Sequence, residues 1–269
     1  MTDQLRRARS GLMVGLMIVA VIAALVPLLF ILIDLVRRGI GNLGISTAMI
    51  IPALTGTLIM VATATAIGVP LGVAAGVYCA EFPRSRLAGT TRFAADVLNG
   101  IPSIVVGVFV WGWIVARQGH FSALAGSIAL ALLMLPLVMR TTEEMLALVP
   151  GSLREAALAL GYPHWRATTG IVLRAGVPGI ATGSLLAVAR IAGETAPLLF
   201  TALGSHYLSL DLNQPMAALP LLIFSYATGP YDEWHRTAWA AALVLIFVVF
   251  ALSLAGRCIV GRHARIRDE

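Results

Sequence analysis

Residues 153–200 read LREAALALGYPHWRATTGIVLRAGVPGIATGSLLAVARIAGETAPLLF, and the reading of this stretch decides the fold. Its first part is polar and rich in helix formers. The remainder is an apolar run long enough to cross a bilayer, yet it contains Arg190 and Glu194. A polar elbow that feeds directly into a charged membrane segment is the arrangement a transport subunit driven from outside would need.

The rest of the chain agrees with a membrane reading. Hydrophobic residues are 59% of the 269 residues and charged residues 12%, with a mean hydropathy of +0.90. One soluble core could not hide that apolar excess, so the composition implies an all-α, polytopic membrane helical bundle. A hydrocarbon core about 30 Å thick takes roughly 20 helical residues to cross. The apolar runs place six transmembrane helices at about 12–34, 54–80, 93–116, 123–140, 176–200 and 237–258. The fourth is the shortest, Leu124 to Val138, with Pro136 near its end. Arg6, Arg7 and Arg9 before the first run also suit a secretory signal. The run from Leu12 to Ile33 is longer than a signal core and no small-residue cleavage site follows, so it reads as an uncleaved anchor. Three parts result: 1–53 (tail, anchor helix and external loop), 54–258 (the transport domain, with its loop at 141–175) and 259–269 (a basic tail).

Placing both termini in the cytoplasm puts fourteen of the nineteen arginines inside, four (Arg37, Arg38, Arg117, Arg236) outside and Arg190 within a span. The positive-inside rule selects this orientation. The pI near 10.1 therefore reports topology, and no basic stripe with interleaved aromatics points to nucleic acid.

All nineteen basic residues are arginine. Without lysine there is no G-x4-G-K phosphate loop, so ATP hydrolysis of that kind belongs to a partner chain. The five histidines show no metal-ligand spacing, and no Gly-x-Ser-x-Gly or His-Glu-x-x-His motif occurs. The chain reads as no enzyme, with no catalytic residue, metal or cofactor. Cys79 and Cys258 fall near the inner ends of spans, in a reducing compartment, where no disulfide is expected.

Within the loop, Ser152 and Glu155 stand at capping-box spacing and predict a helix start. Gly161 suits the left-handed position that ends it, and Pro163 suits the first turn of a second helix. Leu153, Ala157 and Leu160, then Trp165, Thr169 and Val172, recur at helical spacing, so one face can bury while Arg154, Glu155 and Arg166 stay free. This grammar fits an amphipathic hairpin lying on its own bundle as well as it fits a docking element.

Arg190 and Glu194 are costly in lipid, roughly 2.5 to 3.5 kcal/mol each at the bilayer centre, so they should face the bundle interior or a wet cavity. Four positions apart, they share a helix face and can pair. An internal salt bridge is the plain reading. The functional one is that the guanidinium fork of Arg190 matches two oxygens of a tetrahedral oxyanion.

The run LREAALALG (Leu153 to Gly161), continuing through Ile171 to Leu173, resembles the EAA loop of ABC importer permeases. One departure is Arg174, where that family usually has Pro. GIPSIVVGVF (Gly100 to Phe109), TTEEMLALVP (Thr141 to Pro150) and ARIAGETAPLLFTA (Ala189 to Ala202) are similar to permease subunits of phosphate ABC importers. With ALPLLIFSYA (Ala218 to Ala227) and AWAAALVL (Ala238 to Leu245), the similarity covers most of 50–255. The resemblance implies the type I ABC importer (MetI-like) permease fold in a bacterial cytoplasmic membrane. It implies a coupling helix, with Arg154, Glu155, Ala156, Ala157 and Gly161, that seats on an ATPase, and a substrate pathway at Arg190, Glu194 and Thr195. It also implies partners: a homologous permease subunit (PstC-like) as heterodimer, two ATPase subunits (PstB-like) and an external phosphate-binding protein (PstS-like). A carboxylate at Glu194 could then accept a hydrogen bond from the P–OH that phosphate retains at neutral pH. A permease for another oxyanion, such as molybdate or sulfate, and an ion-coupled secondary transporter are the alternatives.

Fainter signals remain. Asp34 and Asp96 read as solvated span ends. Asn99, Pro102 and Ser103 read as helix packing first, with a path lined where Pro102 frees backbone carbonyls as the other reading. Thr55, Thr57, Thr63 and Thr65 with Gly56, Gly68, Gly72 and Gly76 give the second span a small-residue surface suited to the middle of a bundle. The long loop 201–235 carries an apolar stretch, Met216 to Tyr226, too short to cross and read as an interfacial or re-entrant helix broken by Pro220.

Overall fold

The computed structural model describes residues 3–44, 47–205 and 207–265, with side chains from Arg9 onward except at 255 and 257–265. The side chains of Arg6, Arg7, Arg257, Cys258, Arg262 and Arg265, and all of Arg267, lie outside the described set.

The six expected spans are five unbroken helices and one bent pair. In chain order the helices are α1 (Asp3–Ile40), α2 (Thr47–Glu81), α3 (Arg86–Gly100), α4 (Ser103–Val110), α5 (Ala116–Gln118), α6 (Ala123–Ala147) and α7 (Gly151–Ala159). They are followed by α8 (His164–Ala167), α9 (Leu173–Ile191), α10 (Ala196–Thr201), α11 (Leu219–Ala227) and α12 (Asp232–Arg265). Two π-turns, Trp111–Val115 and Thr168–Val172, join α4 to α5 and α8 to α9 without a break.

The third span is the correction. Rather than one helix over 93–116, α3 and α4 bend by 104° at Ile101 and Pro102. Proline has no N–H to continue the ladder and pushes the residue before it to extended backbone, here φ −75° and ψ 129° at Ile101. Pro102 thus breaks the helix and does more than pack within one. The polar helix α3 is held to α6 by Arg92 with Glu143 and by Asp96 with Arg140 (3.2 Å), so Asp96 is paired as well as exposed. Arg92 also donates to the Cys79 and Pro83 carbonyls (2.9 and 3.1 Å), satisfying acceptors that the end of α2 leaves open. At the opposite end Asp34 pairs with Arg38 at 2.8 Å.

The fourth span, expected to be the shortest, is the most buried and runs on to Ala147. Its N-terminus is satisfied from outside the helix. Ser122 Oγ accepts from Ala125 N, while Ala123 N and Leu124 N donate to the carbonyls of Gln214 and Leu212. Against α6 lies α2, whose Gly68, Gly72 and Gly76 recur every four residues. A Cβ at these glycines would meet Met134, Val138 and Thr142 at 3.1, 2.8 and 2.6 Å. Small residues here let two backbones approach closely, which is how helices associate where lipid removes any hydrophobic drive between them. The main core (Met60, Leu130, Met134, Ala187, Ile191, Leu198) sits among α2, α6, α9 and α10.

The segment after α10 folds back into the bundle. Thr57 Oγ1 accepts from Leu219 N at 2.8 Å, and Met216 to Leu219 are buried. Pro220 does not break the expected helix; it lies in the first turn of α11, where its missing N–H is harmless. By contrast α1 exposes apolar side chains along Leu12 to Ile33, a surface suited to lipid. It touches α12 where Arg38 lies 5.2 Å over the Trp239 ring. The last helix begins at Asp232 and continues to Arg265, so 259–265 prolong it.

Candidate coupling elbow and transport path

The expected loop 141–175 is largely helical. Thr141 to Ala147 complete α6, and the second loop helix is no separate element, because α8 passes through the π-turn into α9 and forms one helix, His164–Ile191. Arg174 sits inside this helix, so the residue standing in place of proline lets the backbone ladder continue. What protrudes is an elbow: α7, a tight corner and the start of α8.

The capping box does not form. Pro150 is the N-cap of α7, Ser152 lies within the first turn and no side chain caps it. The other end matches expectation. Gly161 has φ +82°, Gly161 N donates to Leu158 O (2.9 Å) and Tyr162 N to Ala157 O (3.2 Å), the paired bonds that close a helix with a left-handed residue. Nothing lies within 4 Å of a Cβ placed there, so conformation and not space demands glycine. Pro163 is the N-cap of α8, one position before the expected first turn.

Burial divides the elbow differently from its periodicity. Ala157 and Val172 are buried, but Leu153, Leu160 (78% exposed), Trp165 (62% exposed) and Thr169 are not. Ala167 and Thr168, where α8 passes into the π-turn, are buried instead. The hairpin does not lie apolar face down on its own bundle. Leu148, Leu153, Leu158, Leu160, Tyr162 and Trp165 stay exposed on and beside the elbow, apolar surface of the kind that interaction sites present. Glu155 and Ala156 are exposed beside it, and Arg166 stacks over Trp165 at 5.1 Å.

Arg154, expected to be free, turns inward. Its Nη2 and Nε reach Glu81 Oε1 at 2.9 and 3.1 Å, and Thr168 Oγ1 donates to Glu81 Oε2 at 3.0 Å. Sequence reasoning passed over Glu81. A carboxylate as the last residue of an apolar span, followed by Phe82 and Pro83, was the available signal.

Arg190 is the penultimate residue of α9, where a cation suits the negative end of the helix dipole. The expected fifth span, 176–200, stops at Ile191. Ala192 to Thr195 form a turn, and α10 restarts with Pro197 in its first turn. Arg190 and Glu194 therefore meet around a helix end and not along one face, with Nε to Oε1 at 4.0 Å. Nor does this chain shelter the arginine. Its side chain is 62% exposed, in line with exposed Thr182 and Leu186, while Gly183, Ala187 and Ile191 bury toward the core. Thr195 lines a cavity of about 390 Å³ with Gly193, Pro220, Phe224, Thr228 and Leu245. A larger one, about 770 Å³, lies between α1, α11 and α12 around Arg37, Arg38 and Arg236, away from Arg190. The two interrupted spans pack on each other through α4 and α10: a Cβ on Gly107 would lie 2.7 Å from Pro197 Cα. Interrupted membrane helices packed together, with a cation at one break, are a recurrent way to build a path for a charged solute.

A bundle with interrupted spans, an elbow with an open apolar face and a helix from that elbow to a charged break define a membrane permease subunit. The model of binding-protein-dependent transport system inner membrane components matches residues 68–265, and the chain belongs to that family. Its resemblance to phosphate permeases is borne out. It is 47% identical to the phosphate transport system permease protein PstA of Yersinia pestis, covering 94% of this chain and 90% of that one. It is 46% identical to the Haemophilus influenzae protein of the same name, covering 94% of each. The fold matches a chain of the inward-facing MetNI methionine ABC transporter with a TM-score of 0.65 at 19% identity, covering 81% of this chain and 95% of that one.

Proposed function

We propose that this chain is the permease subunit of an ATP-driven importer that carries inorganic phosphate across the bacterial cytoplasmic membrane. One observation carries the reading. The helix that begins at His164 in the elbow ends at Ile191, beside Arg190, so a single rod of about 40 Å joins the docking surface to the candidate ligand group. Two ATPase subunits, PstB-like, close on ATP and move the elbow. The rod carries that motion to the break at 192–195, and the path opens to the side where a PstS-like binding protein delivers phosphate. A PstC-like permease covers the exposed face at Thr182, Leu186 and Arg190 and completes the wet pathway that one chain leaves open.

Within that path Arg190 offers its donor fork to phosphate, Glu194 accepts from the P–OH, and Thr195 supplies a neutral partner. The elbow end faces the cytoplasm together with both termini, the orientation that keeps fourteen of nineteen arginines inside. Arg190→Ala in the assembled complex abolishes phosphate uptake while the subunits still co-purify; full uptake by this variant would sink the proposal. Thiol labelling of single cysteines at Leu160 and Tyr207 tests the orientation, with Leu160→Cys reactive only from the cytoplasmic side.

A further inference from the structure

We propose that Glu81 is the positioning residue that locks the coupling elbow to α2, so that elbow displacement reaches the whole bundle and not only α6 and α9, with which the elbow is continuous. This rests on the elbow being the ATPase docking element.

The placement of Glu81 runs against local preference. It is the last residue of α2, where carbonyls concentrate negative potential and a carboxylate is disfavoured. Its side chain is also only 4% exposed. Burial of an anion at that position requires compensation, and the elbow supplies it. Arg154 of α7 approaches one carboxylate oxygen at 2.9 Å, Thr168 donates to the other at 3.0 Å, and His164 Nδ1 lies 3.9 Å from the latter. Two elbow segments separated by the Gly161 corner therefore converge on one group of a different span. Arg154 Nη2 also reaches Leu146 O of α6 at 3.5 Å, which extends the link. A well-packed apolar contact would hold these elements together with less desolvation. An ionic joint adds direction: it holds only while the carboxylate and both donors keep their register.

The elbow is covalently continuous at both ends, with α6 through residues 148–150 and with α9 along His164–Ile191. Its side-chain link to a third span crosses Glu81 into α2, whose Gly68, Gly72 and Gly76 seat it tightly on α6. Breaking that link lets the elbow, α6 and α9 follow the ATPase while α2 lags.

The test uses the full transporter in proteoliposomes, with phosphate transported per ATP hydrolysed as the readout. For Glu81→Gln the expected result is hydrolysis still stimulated by the phosphate-loaded binding protein, with a transport ratio about tenfold lower. The near-isosteric Thr168→Val lowers the ratio by a smaller factor and serves if Glu81→Gln reduces assembly. The exchange Glu81→Arg with Arg154→Glu recovers part of the ratio lost in either single charge reversal. A wild-type ratio in Glu81→Gln or Thr168→Val, or an exchange no better than its parts, overturns the proposal, since a purely structural role lowers the yield of complex and leaves the ratio unmoved. Failure of the docking reading is distinct: Leu160→Asp would then leave capture of the ATPase subunit by the transporter unchanged.

Discussion

Arg190 and Glu194 approach only to 4.0 Å because the helix carrying the arginine ends at Ile191 and the carboxylate folds back from the following turn, where Glu194 N donates to Ile191 O. An open pair of this kind contributes less than about 1 kcal/mol to stability. Glu194→Gln should therefore leave the melting temperature of the solubilised complex unchanged, yet lower phosphate uptake roughly tenfold through the weakened contact to P–OH. Arg190→Lys should fall between wild type and Arg190→Ala, since it keeps charge and loses the fork. Unchanged uptake in Glu194→Gln would make this carboxylate a bystander.

Gly161→Ala should destabilise the elbow by about 1 to 2 kcal/mol, because an L side chain at φ +82° is strained whatever the space around it. Gly161→Asn should be milder, as asparagine tolerates that region. Proteolytic cleavage between α7 and α8 reports the difference, and equal resistance in Ala, Asn and Gly forms would contradict it.

Gly56 seats the returning segment: a Cβ there would lie 2.0 Å from Ala217 O, a backbone atom with no room to yield. Gly56→Ala should cost about 1 to 3 kcal/mol and loosen the 201–218 segment from α2. Thr57→Val, which removes the acceptor for Leu219 N, should cost about 1 to 3 kcal/mol by leaving a buried N–H unsatisfied. Thermal unfolding of the purified complex measures both, and wild-type stability in either would show the docking to be dispensable.

The exposed patch around Leu160 and Trp165 should behave as a binding surface. Leu160→Asp or Trp165→Ala leaves the chain in the membrane at normal level but weakens capture of the ATPase subunit by about 2 kcal/mol or more. Normal co-purification at limiting ATPase concentration would remove the patch from the interface.

Much of the bundle was legible because membrane insertion reads local sequence. Apolar length alone places Thr47–Glu81, Ala123–Ala147 and Asp232–Leu254 near their expected positions. Gly161 was legible for the same reason, since a left-handed helix end is a local backbone demand. The continuous His164–Ile191 rod was hidden because the polar residues at its start resemble a loop until Glu81 and the core of the bundle take them in. The two breaks were half legible: Pro102 and Pro197 mark them, but how far a chain bends at a proline depends on what packs across it, here α4 against α10.

What the amino-acid order settled unaided is therefore one-dimensional: which runs prefer lipid, which residue types can meet an oxyanion, and where the backbone must turn. Glu81 meeting Arg154 and Thr168, the inward turn of an arginine expected to be free, and the open face beside Arg190 were decided by the tertiary structure. These contacts join residues 73 and 87 positions apart in Glu81's case, and no periodicity along a chain encodes which distant side chains will share one buried charge.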